Sequence, residues 1–133
     1  MTAAKSPTEL HDLFAEFLNA GDLDGLAGLY ESQAKLVMPD GEQFSGSDIR
    51  GVLSEFLAAK PEIRILRSRV TQEENLALIS NDWQLTILVD DRREVTEGTG
   101  TEVARRQSDG SWLYVIDDAA SATTLGATAS DTH

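Results

Sequence analysis

Proton chemistry in this sequence falls to carboxylates. The chain has no cysteine, which removes thiolate nucleophiles, disulfides and zinc–thiolate sites. Its two histidines, His11 and His133, lie near opposite ends of the 133 residues, too few to build a histidine-rich metal centre. Glu102 stands in a strand-like run between Thr101 and Val103. A carboxyl group desolvated there would have a raised pKa and could serve as an acid. The apolar alternation Val95, Thr99, Thr101, Val103 places Glu102 on the opposite face. Asp40 sits in Pro39-Asp40-Gly41, where an aspartate commonly bonds its own backbone. Asp117 and Asp118 close the last strand, and a period of two turns one of them toward the helix layer. Asn81 interrupts an apolar strand face beside Trp83, either as a polar group inside a cavity or as a buried amide bonded to backbone.

The elements that must position these groups are legible from periodicity. Ser6, Pro7 and Glu9 form a helix start, with Ser6 as cap, Pro7 at the first position and Glu9 completing a capping box. Leu10, Leu13, Phe14, Phe17 and Leu18 follow at helical spacing, leaving His11 outside the stripe and facing solvent. Gly21 ends this helix and Asp22 caps a second, whose inner face is Leu23, Leu26, Leu29 and Tyr30. "QAKLVMPDG" reads as a short strand and turn, "GEQFSGSD" as a loop. A third helix carries Ile49, Val52, Leu53, Phe56 and Leu57 and stops before Pro61. From Glu62 the pattern is strands: 62–72, 76–89, 95–107 and 112–117, joined by hairpins at "EEN", "VDDRRE" and "SDGS". In the second of these runs Ala77, Ile79, Trp83, Leu85 and Ile87 share a face. Arg67 and Arg69 fall on opposite parity to Arg64, so both faces of the first run carry charge. Helices first and antiparallel strands after predict an α+β fold: three N-terminal helices packed in a strongly bent, mostly antiparallel sheet. Residues 1–118 are expected to form a single domain, and the small, polar, aperiodic 119–133 a flexible tail.

Composition excludes several partners. The formal charge of −12 repels phosphate backbones and anionic lipid, which argues against nucleic acid and membrane surfaces. "MTAAKSP" lacks the apolar core of a signal peptide and no run reaches transmembrane length, so a cytoplasmic location is expected.

Three stretches carry a family resemblance: "LNAGDLDGLAGLY", "LVMPDG" followed by "FSG", and "GTGTEVARRQSDGSWLYVIDD". Across Pro7 to Asp118 the chain resembles the nuclear transport factor 2-like superfamily, and at its end bacterial SnoaL-like proteins of unassigned activity. The resemblance implies a cone in which a bent sheet wraps the first helix and leaves a pocket at the open end. It also implies homodimers joined through the outer sheet face and a cofactor-free pocket for a small hydrophobic ligand. The ketosteroid isomerases of this superfamily use a donor tyrosine, a carboxylate base and a second donor acid. Those positions fall here on Phe14, on Met38, and on or beside Glu102. Phe14 cannot donate a hydrogen bond and Met38 cannot take a proton, so ketosteroid isomerisation is not expected. Many SnoaL-like relatives carry a histidine near the pocket in the last strand, where this chain has Ile116, Asp117 and Asp118. Glu102 and Asp40, the latter near the pocket mouth, remain as candidate acid or base. Phe14, Phe17, Tyr30, Met38, Phe56, Asn81, Trp83, Asp117 and Asp118 are the expected ligand contacts, the aromatic groups serving equally well as cone filling. The implied function is a hydrophobic-metabolite pocket with isomerase, cyclase or hydratase chemistry, a non-catalytic carrier using the same cavity, or a dimerisation module whose cavity is filled.

Overall fold

The computed structural model describes residues 3–119. Helix α1 (Pro7–Ala20) begins as its capping residues dictate: Ser6 Oγ accepts from the Glu9 amide at 3.0 Å. The Glu9 carboxylate reaches one residue further back than a capping box requires and accepts from the Lys5 amide. Gly21 ends the helix at φ +70°, where a side chain would be strained. Asp22 then caps the short α2 (Leu23–Ala27) by accepting from Gly25 N–H at 2.9 Å. The break folds α2 back against α1 and α3 (Asp48–Ala58).

Six strands follow the order β2-β1-β6-β5-β4-β3: β1 (Tyr30–Val37), β2 (Gln43–Ser45), β3 (Glu62–Glu73), β4 (Leu76–Val89), β5 (Arg92–Arg106) and β6 (Trp112–Asp118). All pairings are antiparallel except β1 with β6. The expected α+β architecture of three helices and a mostly antiparallel bent sheet is the observed one. One correction concerns "GEQFSGSD", read as loop: its Gln43–Ser45 pairs with Lys35–Val37 as the edge strand β2. Three residues with no apolar alternation carry no strand signal, and the pairing is set by the turn at Pro39–Gly41. The β4–β5 hairpin turns on Asp90 and Asp91, both at positive φ, which aspartate tolerates better than most residues.

The core lies between α1, α3 and the inner sheet face, with Leu10, Leu18, Leu26, Ile79 and Tyr114 fully enclosed. The C-terminal end of α1 is fastened to β3 through Asn19, which donates to Ile63 O at 3.0 Å and accepts from Ile63 N–H at 2.6 Å.

Two bulges decide which side chains face inward. In β3, Ile65 pairs with Trp83 and Arg67 with Asp82, leaving Leu66 as the extra residue. Arg64, Arg67 and Arg69 therefore oppose Gln84, Asp82 and Ser80, and all three lie on the outer face. This corrects the expectation, based on uninterrupted parity, that the arginines divide between the faces. Arg67 pairs with Asp82 at 2.8 Å. In β6, Ala104 pairs with Tyr114 but Val103 with Ile116, so Val115 is the extra residue. Tyr114 and Asp117, three apart, thereby both point inward.

Candidate functional site

The open end of the cone holds a cavity of about 170 Å³. Helix α1 contributes His11, Phe14 and Leu18, helix α3 contributes Val52, Leu53 and Phe56, and the inner sheet face supplies most of the remaining wall. Its polar groups are concentrated on one side: Glu102, Asn81, Asp117, Tyr30, Tyr114 and His11.

Glu102 is turned into this cavity and is only 5 % exposed. The expectation from the alternation Val95, Thr99, Thr101, Val103 is thus corrected. That row lies on the outer face, where Val95 is exposed, while the inward row is Thr96, Gly98, Gly100, Glu102 and Ala104. The inward residues are small because larger groups on β4 fill the space: Trp83 opposes Gly98 and Asn81 opposes Gly100. A Cβ on Gly100 would stand 2.9 Å from Glu102 Oε2 and 3.0 Å from Ala119 O, so a glycine is needed for the carboxyl group to fold over it.

Asn81 is the direct partner of Glu102. Its Nδ2 donates to Oε1 at 2.9 Å and to Oε2 at 3.0 Å, so the buried amide bonds the acid rather than backbone. Burial nonetheless pushes the Glu102 carboxyl up to about 9, reinforced by the nearby Asp117 charge and opposed by the Asn81 amide. Glu102 is therefore an uncharged carboxylic acid at neutral pH. On the adjoining strand, Asp117 Oδ2 accepts from the Tyr30 hydroxyl at 2.6 Å. Burial raises Asp117 to about 6, with the Tyr30 hydrogen bond holding it down, so it is mainly ionised at pH 7. The phenols of Tyr30 and Tyr114 are pushed well up by burial and remain protonated. The two rings meet at a tilt of 46° with centroids 5.3 Å apart, and Phe14 meets Tyr114 edge-on at 6.1 Å.

His11 corrects a further expectation. It is buried, 5 % exposed, and lines the cavity instead of meeting solvent. Its row is His11, Phe14, Leu18, spaced i, i+3, i+7, with Pro7 one turn earlier. That spacing was the available signal, overlooked because a stripe drawn through leucines and phenylalanines alone excludes an imidazole. Burial lowers its pKa, against the neighbouring Asp12 charge. Nδ1 lies 3.7 Å from Glu102 Oε1, a distance compatible with an ion pair. The opposed shifts argue otherwise: with the acid pushed up and the imidazole pushed down, both are neutral and face each other without a hydrogen bond.

Of the remaining expected contacts, Phe14, Tyr30, Met38, Phe56, Asn81, Trp83 and Asp117 line the cavity. Phe17, Asp118 and Asp40 do not. Phe17 is rotated about 60° from Phe14 around α1 and packs where the helices cross, so that a Cβ on Gly25 would reach 2.8 Å from its ring. Asp118 has the parity opposite to Asp117 and pairs with Thr101. Asp40 is exposed, and its Oδ1 accepts from the Glu42 amide at 2.9 Å, the local turn bond that Pro-Asp-Gly suggests. Ala119, assigned to the tail, is instead a wall residue: its N–H donates to Val37 O and its carbonyl accepts from Trp83 Nε1 at 2.9 Å. The rest of the expected tail, 120–133, lies outside the described residues. Sequence reasoning also missed Leu36, Ile63, Ile65 and Tyr114 as wall residues.

Among the described residues no group of three His, Asp or Glu side chains is placed to hold a metal ion, and no helix is long and apolar enough to cross a membrane.

Residues 11–115 match the SnoaL-like domain family. No curated protein matches the sequence. Among solved structures, the chain is similar to a Xanthomonas campestris protein named as a candidate calcium/calmodulin-dependent protein kinase II association domain. That pair superposes with TM-score 0.74 at 21 % identity, over 83 % of this chain and 81 % of the other. A nuclear transport factor 2-like superfamily protein from Salmonella enterica gives TM-score 0.74 at 18 % identity, over 83 % and 84 %. A candidate dehydratase of the NTF2-like family from Streptomyces avermitilis gives 0.72 at 16 %, over 81 % and 88 %. At these identities the structures establish the shared NTF2-like fold alone, while the family match spans most of the sequence: the chain belongs to the SnoaL-like domain family.

Proposed function

We propose that this protein holds a small hydrophobic metabolite in its cone and carries out cofactor-free proton-transfer chemistry on it, of the isomerase, cyclase or hydratase kind but not as a ketosteroid isomerase. The observation that carries this reading is a neutral carboxylic acid, Glu102, set in an apolar cavity beside an ionised carboxylate, Asp117. Two carboxyl groups whose surroundings push their pKa values apart supply an acid and a base within one site. The aromatic and aliphatic walls supply binding area with few polar requirements. Phe14 and Met38, on which the resemblance puts the isomerases' donor and base, both line the cavity, and neither side chain can perform that role. Asp40, exposed in its turn, is not needed for the chemistry.

The test is a thermal-shift screen of hydrophobic metabolites against the protein and Val52→Trp, which narrows the cavity from α3. Stabilisation abolished by Val52→Trp supports the pocket. Turnover of a stabilising compound that is lost in Glu102→Gln supports the chemistry. Stabilisation without turnover leaves a carrier, and no stabilisation across the screen refutes both.

A second reading, self-association through the outer sheet face, has its own observation. Leu78, Val103 and Ile116 align in register across β4, β5 and β6, with Leu76 on the same face; Leu76, Leu78 and Ile116 are 46 %, 45 % and 40 % exposed. We propose that this strip joins two copies. Leu78→Asp is expected to give monomers by sedimentation velocity, and an unchanged sedimentation coefficient would refute it.

A further inference from the structure

His11 lines the cavity but has no part in the proposed chemistry. Both of its ring nitrogens are fully buried without a hydrogen-bond partner among the described residues. Such groups are rare in folded proteins and ask for an explanation. Glu102, across the wall from it, faces a complementary shortage. Asn81 offers Glu102 only a donor, so the acid's own proton has no acceptor from that side, and Nδ1 of His11 at 3.7 Å is beyond hydrogen-bond reach. Asp117 takes its hydrogen bond from the Tyr30 hydroxyl, and among the described residues Glu102 makes none to it. A carboxylic O–H with nothing to donate to thus stands beside an imidazole with nothing to bond, both on the wall of one cavity.

Resting on the pocket reading above, we infer that His11 and Glu102 form a two-point receptor for a single ligand hydroxyl, and that the ligand is an uncharged, one-ring alcohol. The hydroxyl oxygen accepts from the Glu102 carboxylic acid and its hydrogen is donated to His11 Nδ1. With the imidazole neutral and its proton on Nε2, the tautomer favoured in free histidine, Nδ1 is the bare acceptor facing the acid. A ketone meets only the Glu102 half of this arrangement, and a hydrocarbon neither half. Size sets the ring count, because a dry cavity of about 150 Å³ accommodates one benzene ring, and this one measures about 170 Å³. A charged ligand is disfavoured, since it would shed its water against apolar walls, and an anion would also stand near ionised Asp117.

The experiment uses the full chain at pH 7 with three probes of one shape: cyclohexanol, cyclohexanone and methylcyclohexane. Affinities come from NMR titration. The imidazole nitrogens are followed by long-range 15N–1H correlation, which is simple with only two histidines in the sequence. Cyclohexanol is expected to bind about 10-fold more tightly than methylcyclohexane, the worth of a hydrogen bond that satisfies a buried group, and more tightly than cyclohexanone. It should shift the Nδ1 resonance of His11. His11→Phe, which keeps the ring volume, should erase the lead of the alcohol over the ketone while methylcyclohexane still binds. Equal affinity of alcohol and ketone in the wild type, or an unmoved His11 resonance on saturation with cyclohexanol, overturns the receptor while leaving the pocket intact. Binding of none of the three overturns the pocket reading and the receptor with it. If His11→Phe does not fold, the wild-type affinities and 15N shifts decide.

Discussion

Replacing Glu102 by Gln should make the protein more resistant to alkaline destabilisation, with an effect large enough to measure. In the unfolded chain the Glu102 carboxyl releases its proton near 4.5, whereas in the cavity it holds it to about 9. Between those limits the native state carries a proton that the unfolded state has lost. Unfolding therefore becomes more favourable as pH rises, by about 1.4 kcal/mol per pH unit for one such group. From pH 5 to pH 8 the wild type should lose roughly 4 kcal/mol on this account. Glutamine has no proton to lose, keeps the shape and still accepts from Asn81 through its carbonyl oxygen. Asp117, raised from 3.8 to about 6, destabilises both proteins equally over its own lower window and cancels in the comparison. Urea unfolding of both proteins at pH 5, 6, 7 and 8 measures the double difference. The gap between Glu102→Gln and wild type should widen steadily with pH. A gap that stays constant across the series would mean that Glu102 is already ionised in the native state. The acid–base assignment of the site would then fall.

Three further perturbations probe the supports of the site. Gly100→Ala places a Cβ against Ala119 O and Glu102 Oε2; it should destabilise by about 1–3 kcal/mol, as overpacking does, and urea unfolding checks it. Tyr30→Phe removes the hydroxyl that donates to Asp117, so the Asp117 carboxyl should titrate above its present value of about 6 when followed by 13C NMR; an unchanged or lower midpoint contradicts the arrangement. Asn19→Ala cuts both hydrogen bonds to the Ile63 backbone and should lower stability by about 1 kcal/mol, with amide exchange at Ile63 accelerating.

The helical part of this fold was legible because each signal was local. Ser6, Pro7, Gly21 and Asp22 act through bonds within four residues, and the leucines of α1 and α3 repeat at the helical period whatever surrounds them. The β4 alternation was equally plain, since Ala77, Ile79, Asn81, Trp83 and Leu85 all turn inward. On β5 the same reasoning inverted the strand. Its inward row is small, with Gly98, Gly100 and Ala104 yielding volume to Trp83 and Asn81, while the apolar Val95 and Val103 lie outward. Apolar alternation reports which face is more hydrophobic, and the face beneath a cavity lined with polar groups need not be that one.

The bulge at Val115 shows why the site itself was harder to see than its frame. With a regular ladder, an inward Tyr114 would bring Ile116 inward and turn Asp117 out, leaving the cone with an aliphatic wall and no second carboxyl group. One extra residue in β6 shifts the parity, so that Asp117 opposes Glu102 and its carboxylate meets the hydroxyl of Tyr30 on the strand beyond. The site is then assembled from residues 11, 30, 81, 102 and 117, no two of them closer than 15 positions along the chain. The register that joins them depends on one unpaired valine. Without that bulge Asp117 would turn outward and the charge that helps hold Glu102 neutral would be lost from the cavity. The proposed acid–base pair requires this register, because only here do Asp117 and Glu102 face the same cavity.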